Sequence, residues 1–353
     1  MIILKKKPAS SIGARPDLRT AEEKTKDYRH EEIASASPFE WREYAESDWP
    51  KYPIFNQEQD GTCVAQTTAK ELGIANQREE KLFTFNSSAD LYSRRSNKPG
   101  QGMSGPEADD LTIKNGMTLE TLVPTYGTVG SNDQVKRTPT TEAIGSIFAP
   151  NRWIYLPFNI DEIAKVINSG IPAKIFLRWN VSEWDRDIPK LDPSAVNLTG
   201  SHSTAFILAT LYNGKKHLLT DDSWGVNRGK RGQRLVPEEW IDPRNGRIFF
   251  SSYFIDKKNL FSKNEGMAKP QYAWIKNLTV GTRGIDVIML QIALATISDG
   301  KGGYLFPAII QAPTGYFGGM TRQGVGDFQK IFGLPVTYVF DSGTRKVAND
   351  MFK

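Results

Sequence analysis

Pro53-Ile54-Phe55-Asn56-Gln57-Glu58-Gln59-Asp60-Gly61-Thr62-Cys63-Val64-Ala65 holds the single cysteine of a 353-residue chain. The run after it sets Ala65, Thr68, Ala69, Leu72 and Ala75 at helical spacing, which predicts a helix starting at or just after Cys63. At a helix mouth, unpaired backbone N–H groups and the positive end of the helix dipole stabilise a thiolate, the nucleophilic form of cysteine. Upstream, the Gln57 amide can donate to an oxyanion forming beside the sulfur, together with the Cys63 N–H; it is equally one polar residue in a polar loop. A lone cysteine is more often a small buried hydrophobe. The matter turns on whether a base accompanies it.

The chain has three histidines. His30 lies in a charged arm and His217 follows Lys216 at a strand start, so both read as incidental. His202, in Gly200-Ser201-His202-Ser203-Thr204, stands before the apolar run Ala205 to Leu211. Asn213-Gly214 follows, then His217-Leu218-Leu219-Thr220. An Asn-Gly pair between two such runs predicts a hairpin. Its return strand ends in Asp221-Asp222-Ser223-Trp224-Gly225, which brings Asp222 back beside His202. A carboxylate there would fix the imidazole tautomer. A helix in the first half and antiparallel strands in the second predict an α+β fold with a helical lobe and a β lobe.

These segments resemble the papain family of cysteine peptidases, whose Pro-Val-x-Asn-Gln-x-x-x-Gly-Ser-Cys-Trp-Ala segment matches Pro53 to Ala65 without a gap. The family's His-Ala-Val is similar to His202-Ser203-Thr204, and its Asn-Ser-Trp-Gly to Asp222-Ser223-Trp224-Gly225. Gly102-Met103-Ser104-Gly105 resembles the turn whose backbone pairs with bound peptide in that family. The resemblance covers residues 38–256. It implies Cys63 as nucleophile, His202 as general base and acid, Asp222 as orienter and Gln57 as oxyanion donor. It also implies Trp224 as a shield over the His–Asp contact and Gly105 in peptide binding. Three departures stand out: Asp222 for the usual Asn, Val64 for Trp and Asp60 for a cysteine. An aspartate keeps the orienting hydrogen bond and adds a charge that favours protonated His202.

The C-terminal residues 278–353 regain helical spacing, with Val287, Leu290 and Leu294 on one face and Val325, Phe328 and Ile331 on another. Leu278-x-x-Gly281-x-x-Gly284-x-Asp286-Val287-x-x-Leu290-Gln291, Gly315-x-Phe317-Gly318-x-x-Thr321 and Asp341-x-x-Thr344 resemble the peptidoglycan-binding three-helix module of cell-wall hydrolases. Its Leu and Phe positions are expected in the core and its Gln, Asp and Thr positions in caps and turns. The same module also serves as a spacer or a protein-binding unit.

Residues 1–37 form a polar arm with a short helix expected around Ala21 to Ile33, read as a structural extension rather than a propeptide. Residues 257–277, with Gly266 and Pro270, form an expected linker. The segment Trp179 to Asp192 either borders the cleft or is a surface insertion. With 45 Lys+Arg against 40 Asp+Glu and 39% hydrophobic residues, the composition excludes global disorder. One cysteine excludes an intramolecular disulfide. No cofactor, zinc site, nucleic-acid motif or apolar run of membrane-spanning length is expected. Met1 to Lys7 put apolar residues before lysines, the reverse of a signal peptide. The expectation is a cysteine endopeptidase acting on peptide or protein and carried to the anionic bacterial cell wall, released by lysis or borne on a phage particle. The competing readings are a protein-processing peptidase docked in an assembly and a non-catalytic virion component. Nothing in the sequence bears on oligomeric state.

Overall fold

The computed structural model describes residues 13–24, 28–29, 39–80, 83–195, 198, 200–255, 272–295, 297 and 315–352. Contacts divide the chain into two units, Met1–Ala75 with Phe85–Asp256, and Asn76–Thr84 with Lys257–Lys353.

The larger unit is built on residues 63–75 of helix α2 (Cys63–Glu80) and a sheet of seven strands. Here α1 is Ala21–Lys24, α3 Ser88–Tyr92, α4 Gly105–Asn115, α5 Pro139–Ile147, α6 Ile160–Asn168 and α7 Val181–Trp184. The strands are β1 (Ala14–Arg15), β2 (Tyr28–Arg29), β3 (Met103–Ser104), β4 (Arg152–Tyr155) and β5 (Ala173–Trp179), then β6 (Gly200–Tyr212), β7 (Lys215–Asp221), β8 (Gln233–Pro237) and β9 (Ile248–Ile255). The large sheet runs β2-β4-β9-β5-β6-β7-β8, and β1 pairs separately with β3. Every pair from β4 to β8 is antiparallel. The expected hairpin is present: Tyr212 pairs with Lys215 across Asn213 and Gly214, both at positive φ, as the tight turns that match strand twist require.

α2 is buried on all sides from Cys63 to Ile74, although this stretch holds Gln66, Thr67, Thr68, Lys70 and Glu71. Buried polar groups must find partners, and here they tie the helix to the sheet. Lys70 Nζ lies 3.0 Å from Asp221 Oδ2 on β7. Lys174, pointing inward from β5, places Nζ 3.0 Å from Thr68 Oγ1 and 3.0 Å from Glu71 Oε2, and bonds Asp109 on α4. The Ser252 hydroxyl on β9 completes the cluster, 2.7 Å from Asp109 Oδ2. Around it pack Leu72, Met103, Phe176, Phe250 and Phe254. The far face of the sheet packs on α6 through Ile163, Val166 and Ile167. Asn159 caps that helix by accepting from the Asp161 and Glu162 N–H groups at 2.9 and 3.3 Å.

The arm differs from its expectation. Among the described residues Ala21–Lys24 are helical, and Tyr28–Arg29 form a strand parallel to Ile154–Tyr155 where the helix was expected to continue, an open sheet edge offering unpaired N–H and C=O groups to a passing segment. His30 lies outside the described residues.

In the smaller unit, Ile285–Ala295, Gly319–Ile331 and Ser342–Phe352 are helices. Val287, Leu290, Leu294, Val325 and Phe328 are buried as expected, but Ile331 is 48% exposed. It is the last helical residue, and the next side chain, Phe332, lies tilted against Phe328 instead, with ring centroids 4.6 Å apart. The glutamines act as internal brackets. The Gln291 amide donates to Tyr316 O and Thr321 Oγ1 at 3.0 and 2.9 Å and accepts from the Gly315 N–H at 3.1 Å. Gln329 likewise holds Thr337, Tyr338, Val339 and Thr344. Much of the expected linker lies outside the described residues, but its end packs into this unit: Trp274 is buried and its Nε1–H donates to Asp286 O at 2.9 Å.

Removing Lys174 would strand Asp109 with a buried charge. Lys174→Met is expected to cost about 3–5 kcal/mol of stability, read as a lower midpoint in urea unfolding followed by tryptophan fluorescence.

Candidate active site

The site is assembled from opposite sides of the larger unit. α2 supplies Cys63 as its first residue, so the backbone N–H there has no partner within the helix. β6 supplies His202, paired in register with Leu177 of β5. The β6–β7 register sets Ala205 opposite Asp221, and the next residue, Asp222, turns under the imidazole. His202 Nε2 lies 2.6 Å from Asp222 Oδ1, and the Cys63 side chain is its other polar partner.

Both lobes' loops are stitched together behind this line. The Gln57 N–H donates to Ser223 O at 2.8 Å and the Gly225 N–H to Phe55 O at 3.0 Å. The Ser223 hydroxyl donates to Gln57 Oε1 at 2.7 Å, which fixes the amide orientation. Gln57 Nε2 spends one N–H on Asp60 O at 3.1 Å and has a second for an oxyanion. Asp60, where the family carries a cysteine, pins the loop differently: it accepts from the Gly61 N–H at 2.9 Å and from Asn132 Nδ2 at 2.7 Å. Burial raises the pKa of its carboxyl against these hydrogen bonds.

The electrostatics follow from burial and charge. Burial alone would lower the His202 pKa, but the Asp222 charge, then Cys63, outweighs it and the value rises to about 9. For Asp222 burial acts upward, while His202 and then Arg234 hold its carboxyl well below the usual range. A protonated His202 therefore persists at neutral pH and can form an ion pair with a thiolate.

Trp224, the expected shield, has its ring centroid 5.2 Å from that of His202. Trp179 lies 4.8 Å from the imidazole and stacks on Trp184. The segment from Trp179 to Asp192 is thus part of the site rather than a surface insertion: Trp184 is fully buried and its Nε1–H donates to Asp222 Oδ2 at 3.0 Å. Gly105, expected in peptide binding, is the first residue of α4, where a Cβ would meet the Phe250 ring at 2.4 Å, so its lack of a side chain also serves packing. His217 is a strand residue whose Nδ1 is 3.0 Å from Lys215 O.

The backbone that does pair is Met103–Ser104, and its partner is the chain's own arm. Ala14 and Arg15 run parallel to Met103 and Ser104. The Met103 N–H donates to Gly13 O at 3.0 Å, and the Ser201 hydroxyl to Ala14 O at 2.5 Å. Gly13 lies over Cys63: a Cβ built on it would stand 2.4 Å from Cys63 Sγ. Cys63 is accordingly 0% exposed. The arm thus does more than wrap the domain.

The fold defined by these two lobes is that of the papain-like cysteine peptidases. It is similar to xylellain, a cysteine protease from Xylella fastidiosa, with TM-score 0.59 at 16% identity over 73% of this chain and 100% of that one. Digestive procathepsin L 3 of Tenebrio molitor larval midgut gives TM-score 0.47 at 15% identity, covering 61% of this chain and 73% of that one. Bromelain from Ananas comosus gives 0.47 at 17%, covering 58% and 94%. The fold assignment rests on the first of these. Residues 283–347 match the family described as "Putative peptidoglycan binding domain". No curated protein matches the chain.

Only a residue without a side chain fits over the sulfur in this arrangement. Gly13→Val is expected to displace the arm and speed alkylation of Cys63 by iodoacetamide at least ~10-fold, a shift of about 1.4 kcal/mol in the covered–open balance. An unchanged rate, measured by intact mass, would show that the arm does not limit access.

Proposed function

We propose that this chain is a cysteine endopeptidase that hydrolyses peptide bonds through Cys63, His202 and Asp222, and that its own arm holds it latent. The observation that carries the reading is the buried line from the N-terminus of α2 through His202 to Asp222, with the Gln57 amide fixed beside it. Cys63 attacks the scissile carbonyl, and the oxyanion takes hydrogen bonds from Gln57 Nε2 and the Cys63 N–H. His202 protonates the leaving amine, then takes a proton from the water that releases the acyl group. Trp224 and Trp179 keep bulk water from the His202–Asp222 contact, where a low dielectric strengthens it.

The family match of residues 283–347 supports a substrate at or near the bacterial cell wall. A weak wall-binding module tethered to a peptidase raises the local concentration of wall peptides or wall-embedded proteins. The same pairing of domains supports delivery by lysis or on a phage particle. Among the described residues no helix is long and apolar enough to cross a membrane.

A chain lacking residues 1–20 is expected to cleave a denatured protein or purified peptidoglycan faster than the full chain, and Cys63→Ala is expected to be inert on both. Mass spectrometry of the products locates the cleaved bonds; no Cys63-dependent product from either substrate would sink the peptidase reading. For the active form, kcat/KM is expected to fall as pH rises through about 9, because deprotonation of His202 removes both the ion pair and the acid. The full chain is expected to sediment with purified peptidoglycan, and a chain ending at residue 256 is not.

A further inference from the structure

The catalytic line does not stop at Asp222. Both carboxylate oxygens are doubly engaged: Oδ1 by His202 Nε2 at 2.6 Å and the Ser223 N–H at 2.7 Å, Oδ2 by Trp184 Nε1 at 3.0 Å and Arg234 Nε at 2.8 Å. Arg234 comes from β8, and its side chain is fully buried. Its guanidinium lies between two indoles, 5.7 Å from the Trp184 centroid and 5.4 Å from that of Trp224. Nη1 donates to Arg186 O at 3.0 Å, and Nη2 is 3.8 Å from Asp185 Oδ1.

An amide could orient His202 by hydrogen bonding without any charge. A buried aspartate brings a charge that costs several kcal/mol to desolvate unless it is matched. With only His202 opposite, that charge would hold the imidazole proton more tightly than a general acid can use, since a proton donor must also release. A second cation on the far oxygen divides the attraction. The row then alternates as Arg234 plus, Asp222 minus and His202 plus, and ends at the Cys63 sulfur.

We propose that Arg234 is a positioning residue that makes an aspartate workable under His202, holding Asp222 ionised and in place while offsetting its charge, so that Asp222 and Arg234 act as one unit in the place of a neutral amide. The proposal takes the peptidase reading as its setting. The charged and titratable groups around the imidazole come from each packed element: Cys63 on α2, Asp222 after β7, and Arg234 on β8. β1 presents Ala14 through its carbonyl to Ser201. Further out, Asp185 pairs with Arg228 and Asp221 with Lys70.

The test is a histidine-ring NMR titration of the full chain, with the His202 signal assigned by its loss in His202→Gln. It reads a proton rather than turnover, so it stands even if no peptide is cleaved. Arg234→Met is expected to raise the His202 midpoint by about one pH unit, since it removes a nearby cation, whereas Arg234→Lys is expected to leave it nearly in place. Asp222→Asn, which strands Arg234, is expected to lower the midpoint. The double variant Asp222→Asn/Arg234→Met is expected to be better folded than Asp222→Asn and, in the form lacking residues 1–20, to recover at least ~10-fold of its kcat/KM. An unmoved midpoint in Arg234→Met, or a double variant no better than Asp222→Asn in folding and in rate, overturns the proposal. Should Arg234→Met fail to fold alone, a folded double variant supports the unit. An unfolded double variant shows that Arg234 serves packing alone.

Discussion

Everything in the larger unit depends on how a helix full of polar residues can be buried. α2 lies inside the domain over its first turns, yet it carries Thr68, Lys70 and Glu71 on that stretch. The cost is offset because β5 and β7 point Lys174 and Asp221 back at it, while Thr68 also bonds Val64 O and Lys70 also bonds Pro53 O. Such ties are directional where apolar packing is not, so they set the rotation and depth of the helix as well as its presence. Since Cys63 is the first residue of that helix and His202 sits on the strand between β5 and β7, the same ties set the distance between sulfur and imidazole. The electrostatic balance inside the cluster is itself uneven. Burial outweighs the Lys174 charge at Glu71 and raises that carboxyl to about 8. Its contribution to folding is therefore full below the ordinary carboxylate range and is lost as pH rises through about 8.

The second constraint is the pairing of the two loops that carry Gln57 and Asp222. Residues 55–57 and 223–225 hold each other through backbone bonds and the Ser223–Gln57 contact. Gln57 and Asp222 are therefore parts of one hydrogen-bonded patch, although 166 positions separate Ser223 from Gln57. Positions of this kind tolerate little error, because a displacement of an ångström at a donor is felt directly in the rate.

The parts of this arrangement that were legible in the sequence were those written in local spacing. The helix at Cys63 follows from Ala65, Ala69 and Leu72; the hairpin follows from Asn213-Gly214 between two apolar runs; the return of Asp222 to His202 follows from the hairpin register. What the sequence hid depends on contacts between segments far apart. Arg234 reads as one cation in a short strand, and nothing near it says that it meets Asp222. Trp184 was visible as part of an extra segment, but its indole hydrogen bond was not. Gly105 stands in the matching turn, but its close approach to the Phe250 ring left no local signal. The arm was hidden for another reason: a segment seated by its backbone and by the absence of a side chain leaves no pattern of hydrophobic periodicity to read.

That seating has a consequence for how latency would behave in solution. The group covering the sulfur is joined to the domain by chain, so its effective concentration is set by the tether and not by the amount of protein present. Diluting the protein leaves the fraction covered unchanged. What governs access is the free energy of peeling off a short segment held by a few backbone bonds, a local opening that proceeds without global unfolding.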